Sequence, residues 1–206
     1  MSGLLTIFKK ELADHFASWR FIILFILILL VGIVVSRMAA QNIIESVSDP
    51  RFVFLSLFTF STGSSQSQFL WWMMVLIPIV GIALGFDAIN GERSGGTMSR
   101  LVSQPIYRDT IINGKFMAGM VTIAIMMTSI VLLIAGFGMR IIGLPPTSEE
   151  VARLLFFLVV SVVYGSFWMA LAVLFSIFFR RIATSALASV VLWVFFMFFF
   201  SMIASA

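Results

Sequence analysis

Five stretches of this chain, residues 21–36, 69–86, 116–139, 154–179 and 182–206, contain no Asp, Glu, Lys or Arg. An α-helix rises about 1.5 Å per residue, so a hydrocarbon core ~30 Å thick needs roughly 20 apolar residues to be crossed. Four of the runs reach or approach that length unaided. The first, with 16 residues, spans about 24 Å, and Trp19, Arg20 and Arg37 at its ends complete it by anchoring and snorkelling. The chain therefore reads as all-α: a polytopic transmembrane helical bundle, one domain over residues 1–206, with spans near 20–38, 69–88, 114–139, 153–179 and 182–204.

Composition closes off the soluble alternative. Of 206 residues, 61% are hydrophobic and 11% charged, against roughly a quarter charged in a soluble domain. No single core of this size buries that much apolar surface, so lipid must act as solvent. The absence of Cys excludes disulfides, thiol catalysis and cysteine metal sites, and a lone His excludes a histidine cluster. The net charge of +4 reflects cytoplasmic Lys and Arg rather than nucleic-acid binding.

The N-terminal segment does not read as a cleaved signal peptide, because no small-residue site closes the apolar run. Over residues 1–20, Leu4, Leu5, Ile7, Phe8, Leu12, Phe16 and Trp19 recur at helical spacing, while Lys9, Lys10, Glu11, Asp14 and Ser18 take other positions. That pattern is an amphipathic helix lying in the membrane interface; a solvated helix packed on a partner would carry the same one. His15 belongs to this helix as an interfacial polar residue.

Between the first two spans, residues 39–51 read as an outer loop and 52–60 as a short interfacial or re-entrant piece. In the second span Gly81 and Gly85 form a small-xxx-small pair that lets another helix approach, and Pro78 reads as a tolerated membrane proline. Thr147 and Glu150 match a capping box at the start of the fourth span. With the N-terminus in the cytoplasm, the inner segments hold nine Lys and Arg and the outer ones four. The positive-inside rule favours that orientation, which leaves the C-terminus of this chain outside.

The most polar stretch between spans is residues 87–115. Gly95-Gly96 breaks the descending helix, Thr97 suits an N-cap, Pro105 ends a short surface helix, and Asp109 can cap the helix that climbs back through Lys115. Met98, Leu101 and Val102 offer apolar contacts with Arg93, Arg100 and Arg108 around them. Such a piece either paves the membrane surface or serves a cytoplasmic partner as a handle.

Glu92, Gly96-Thr97, Leu101, Ser103, Pro105, Arg108 and Lys115 match the pattern E-x-x-x-G-T-x-x-x-L-x-S-x-P-x-x-R…K. In this the chain resembles ABC transporter permeases of the ABC-2 type, most of all the group that includes the permease of the nitrous-oxide reductase maturation cluster. The resemblance covers essentially the whole chain. It implies that residues 91–108 form a cytoplasmic coupling helix docking on a separate ABC ATPase subunit, with Glu92, Gly96, Thr97, Met98, Leu101, Val102, Ser103, Pro105 and Arg108 at that interface. It implies that the amphipathic N-terminal helix is the family's connecting helix. It implies an exporter built from two permease chains, as homodimer or heterodimer, with ATP and Mg on the partner. The family has six spans; five here mean that a sixth is absent or that the natural chain continues past Ala206. Glu92 is expected to brace the end of the second span by pairing with a nearby arginine.

No G-x-x-x-x-G-K-[ST] phosphate loop occurs in the chain, so the chain itself is not expected to be an enzyme or to hold a cofactor. Two other readings compete. An ion-coupled carrier needs an intramembrane charge, and the spans contain no clearly central one. A membrane anchor or assembly subunit without transport needs no such charge. The methionines Met117, Met120, Met126 and Met127 could suit Cu(I), but Met is a common filler of apolar bundles.

Overall fold

The computed structural model describes residues 2–46, 58, 69–96, 108–143 and 145–204. Among them the chain is all-α. The helices are α1 (Ser2–Ala17), α2 (Trp19–Ser46), α3 (Phe69–Gly85), α4 (Asn90–Ser94), α5 (Arg108–Ile142), α6 (Ser148–Phe178) and α7 (Ile182–Ala204). Five segments, Trp19–Met38, Phe69–Ser94, Asp109–Ile141, Ser148–Phe178 and Ile182–Phe199, are long and apolar enough to cross a membrane.

Helix boundaries follow local chemistry, with two departures from the sequence reading. The loop expected from residue 39 is instead helical as far as Ser46. Residues 38–46 hold neither Gly nor Pro, so nothing in them stops a helix already running. The break expected at Gly95-Gly96 is present, and a second one precedes it. The α3 ladder ends at Gly85, where the Ala88 N–H donates to the Gly85 carbonyl at 3.2 Å. The chain then resumes as the five-residue α4 and turns again at Gly96, whose φ is +68°. That left-handed conformation is strained for any residue carrying a Cβ.

Caps close the other ends. The Ser18 hydroxyl and its N–H both reach the His15 carbonyl, at 2.8 and 3.2 Å, which terminates α1. Asp109 sits in the first turn of α5, where the helix dipole favours a carboxylate. At the start of α6, the Glu150 carboxylate accepts from the Thr147 N–H at 2.8 Å and from the Thr147 hydroxyl at 2.9 Å. The Glu150 N–H donates back to the Thr147 hydroxyl at 3.4 Å. This is the capping box that the sequence pattern specifies.

The chain divides into two compact units. The first comprises Met1–Ser18, Pro78–Ile123 and Tyr164–Ala206. Its apolar centre is Ile82, Trp168 and Ala172, with Phe86, Tyr164, Leu171, Trp193 and Phe196 packed around them. The second comprises Trp19–Ile77 and Ala124–Val163. Its buried aromatic pair is Phe58 and Phe69, edge to face at 5.2 Å, a favoured geometry for aromatic rings. Phe157 lies 6.2 Å from Phe69 on another side. Gly32 of α2 faces Ile134 of α5 and Phe69 of α3 in the same unit. The expected interfacial piece at 52–60 lies, Phe58 apart, outside the described residues.

Candidate functional site

The first unit brings several of its charged side chains together, and Lys115 is at the centre. Its ammonium lies 2.9 Å from Glu11 of α1 and 2.8 Å from Glu92 of α4. The three side chains are 8%, 12% and 13% exposed. A lysine this deep is sustained only by paired carboxylates, since an isolated buried ammonium loses several kcal/mol of hydration. Lys10 adds a further cation 3.1 Å from Glu11, and also reaches Asp14 at 3.4 Å. The result is an alternating row of charges: Lys10, Glu11, Lys115, Glu92.

Local packing explains why α1 presents Glu11 inward. Residues 4, 7, 11 and 15 fall on one face of a helix. A Cβ on Gly114 would stand 2.8 Å from Ile7 Cγ2 and 3.7 Å from the Leu4 carbonyl oxygen. A Cβ on Gly119 would meet Met169 Sδ and lie 3.9 Å from His15 Nε2. Gly114 of α5 therefore forms the notch that seats α1, Gly119 is closed over by Met169 of α6 with His15 beside it, and Lys115 next to Gly114 receives Glu11. The sequence reading put Glu11 with the polar residues outside the apolar stripe; its spacing from Leu4, Ile7 and His15 is the signal that would have placed it inward.

The root of the segment after α3 is fixed from a second side. The first N–H groups of a helix have no intrahelical acceptor. Here the Ser176 hydroxyl of α6 accepts from both the Ile89 and the Asn90 N–H, each at 3.0 Å. The Arg93 guanidinium donates to the Ile177 carbonyl at 3.3 Å, near the negative end of the α6 dipole. Glu92, expected to pair with a nearby arginine, is paired with Lys115 of α5 at 2.8 Å, while the adjacent Arg93 donates to the end of α6. Ser176, His15 and Glu11 carry no motif and were not identified as site residues from the sequence.

A cavity of about 240 Å³ lies beside the charge row, lined by Lys10, Asp14, His15, Asp87, Glu92 and Lys115 over Leu84, Met169 and Val173. Burial alone would raise the Glu11 carboxyl, but Lys115 and then Lys10 outweigh it and hold it below the ordinary carboxylate value. Burial pushes the His15 imidazole down; Glu11, Asp87 and Asp14 pull upward, Lys115 adds to the lowering, and the balance is below 6.5. Both depressions make docking of α1 acid-sensitive. A released α1 takes up protons that the docked helix resists, so the contribution of His15 is complete above pH 6.5 and declines as pH falls through its docked value. Glu11 adds a second loss below 4.5. Hydrogen exchange of the α1 amides, corrected for intrinsic rates, is expected to accelerate as pH falls below 6.5. In His15→Gln that first phase is expected to vanish, and its persistence would show that another group titrates.

The remaining expected site residues fall as follows. Gly81 and Gly85 face the backbone of α6 at Gly165, Met169 and Val173. Gly96 is at the turn after α4, with no atom within 4 Å of an added Cβ. Thr97, Met98, Leu101, Val102, Ser103 and Pro105 lie outside the described residues, and Arg108 is the first residue of α5. Among the described residues, no group of three or more His, Asp or Glu side chains is arranged to hold a metal ion.

Comparison with known proteins places these features in context. Residues 5–206 match the profile of a family described as ABC-2 family transporter protein. The chain is 30% identical over 205 residues to the "Probable ABC transporter permease protein NosY" of Pseudomonas aeruginosa, covering 96% of this chain and 68% of that protein. It is 32% identical over 118 residues to the protein of the same name from Stutzerimonas stutzeri, covering 56% of this chain and 38% of that one.

Proposed function

This chain belongs to the ABC-2 transporter family as a membrane-spanning permease subunit, and on that premise we propose that it exports its cargo on energy drawn from a separate ABC ATPase docked on residues 91–108. The N-terminus and the 91–108 segment face the cytoplasm, in line with the nine inner against four outer basic residues. Two permease chains, alike or different, face each other in the bilayer, and each docks one ATPase carrying ATP and Mg. Thr97, Met98, Leu101, Val102, Ser103, Pro105 and Arg108 supply the docking surface, with Gly96 turning the chain into it. Closure of the ATPase pair displaces this segment, and the spans respond by passing between two packings, one open to each side of the membrane.

The observation that carries this reading is the anchoring of the segment's root. Glu92 is held by a buried Lys115, and Ile89 and Asn90 are held by Ser176. A pull on a root fixed in this way is passed to α5 and α6, whereas a segment that only covered the membrane surface would need no such anchoring.

The test is co-expression with each candidate ABC ATPase of the source genome, followed by co-purification and ATPase assay in nanodiscs. The wild-type permease is expected to co-purify and to alter the ATPase rate. Gly96→Val is expected to remove that effect, because it strains the backbone at φ +68° while its Cβ meets none of the described residues within 4 Å. Co-purification without any change in ATPase rate would mark an anchor instead of a transporter, and unchanged coupling in both Gly96→Val and Glu92→Gln would sink the proposal.

A further inference from the structure

α1 is held to the root of the coupling segment by one cation. Glu11 and Glu92 lie far apart in sequence, on α1 and α4, and Lys115 of α5 contacts both within 3 Å. A lysine ammonium offers three donors around a single point charge, which suits it to sharing between carboxylates that approach from two elements. The row from Lys10 to Glu92 holds two cations and two anions, so removing any single member leaves a net charge. Removing Lys115 leaves Glu11 with Lys10 and takes from Glu92 the ammonium 2.8 Å away.

The seating of α1 supports a working role rather than a passive one. Ile7 of α1 fits a notch at Gly114 and His15 lies beside Gly119, one on each side of Lys115 along α5. The Gly114 notch sets where α1 sits, and the shared ammonium connects that position to Glu92. Four residues after Glu92, Gly96 turns toward the segment assigned to the ATPase.

Resting on the coupling reading above, we propose that Lys115 is a positioning residue that makes α1 part of the coupling unit. By holding Glu11 and Glu92 together, it obliges the N-terminal helix, the root of the coupling segment and the start of α5 to move as one body when the ATPase moves that segment. Glu11 is its counterpart on α1. In this assignment the N-terminal helix is a lever arm of the coupling apparatus as well as a membrane-surface element.

The chain has no cysteine, which permits a direct test by paired spin labels. Lys9 and Ser94 are both exposed, so Lys9→Cys with Ser94→Cys reports the spacing between α1 and the coupling root in nanodiscs. The otherwise unaltered chain is expected to give one narrow distance distribution, and Lys115→Arg, which keeps the charge, is expected to preserve both that distribution and ATPase stimulation. Lys115→Met is expected to broaden the distribution and to reduce ATPase stimulation about ten-fold or more.

A simple folding defect is separated by the double variant Lys115→Met with Glu92→Gln. It leaves no unpaired charge in the row, so yield and co-purification are expected to recover while the broad distance distribution and the loss of stimulation persist. Recovery of stimulation in the double variant, or a narrow distribution in it, would overturn the proposal. If the wild-type permease itself neither co-purifies with nor stimulates the ATPase, the coupling reading fails on its own, and the label distances still decide whether Lys115 holds α1.

Discussion

Leucine in place of Gly81 is expected to abolish the stable fold in detergent, and alanine to lower its melting temperature. A Cβ at Gly81 would meet the Gly165 carbonyl oxygen and stand 2.9 Å from the Met169 nitrogen and 3.2 Å from Trp168 Cβ. One turn later, a Cβ at Gly85 would stand 2.6 Å from the Met169 carbonyl oxygen and 2.9 Å from Ala172 Cβ. Most of these opposing atoms are backbone, which cannot move aside by changing rotamer, so α3 and α6 would have to separate. Separation would open the packing of Ile82, Trp168 and Ala172. Gly→Ala in a helix gains about 1 kcal/mol from propensity, while overpacking a tight contact costs roughly 1–3 kcal/mol. Lipid supplies no hydrophobic drive to offset the loss, because helix association there rests on close packing. The net sign for Gly81→Ala is therefore destabilising. Gly136→Ala is the control, since an added Cβ there meets nothing within 4 Å, and it is expected to be neutral or mildly stabilising. Thermal challenge followed by size-exclusion chromatography compares the two directly. Equal stability of Gly81→Ala and Gly136→Ala would contradict the close contact.

Much of the architecture is legible in the sequence because lipid imposes a coarse rule. A run without charges long enough to cross has few alternatives to a helix, so residues 116–139, 154–179 and 182–206 are readable without knowledge of their neighbours. The Thr147–Glu150 capping box is readable for a related reason: donor and acceptor lie within one turn. Two other features escape such reading. The extension of α2 to Ser46 is invisible to a rule based on polarity, since Gln41, Asn42 and Glu45 look like loop but permit helix. The pairing of Glu92 with Lys115 joins α4 to α5, and no spacing within residues 91–108 encodes that. Lys115 is legible as a motif residue, but its second carboxylate, Glu11, comes from the other end of the chain. The burial of Glu11 depends on a notch at Gly114 that becomes informative only once Ile7 of α1 is seen seated in it.

Within the charge row itself, the order of stabilities is predictable. Methionine at position 115 is expected to be worse than glutamine at either 11 or 92. Breaking a buried ion pair by removing one partner costs about 3–5 kcal/mol, because it strands the other charge away from water. Lys115→Met takes the ammonium away from Glu92 and reduces Glu11 to its contact with the more exposed Lys10. Glu11→Gln and Glu92→Gln leave Lys115 with one carboxylate and with an amide oxygen still able to accept from it, so the loss is nearer the ~1.5–3 kcal/mol of a hydrogen bond to a charged group. Lys115→Met combined with Glu92→Gln should recover part of the loss, since neutral replacements of both partners avoid a stranded charge. Because these side chains are no more than 13% exposed, added salt should change the order little, unlike a surface pair. Melting temperatures of the four variants in detergent at low and high salt test this ranking. If Lys115→Met were as stable as Glu11→Gln, the lysine would be hydrated in solution rather than dependent on its two carboxylates. If the ranking holds, stability follows the pairing of charges and coupling follows the presence of a shared cation at position 115, which allows the double variant to recover one without the other.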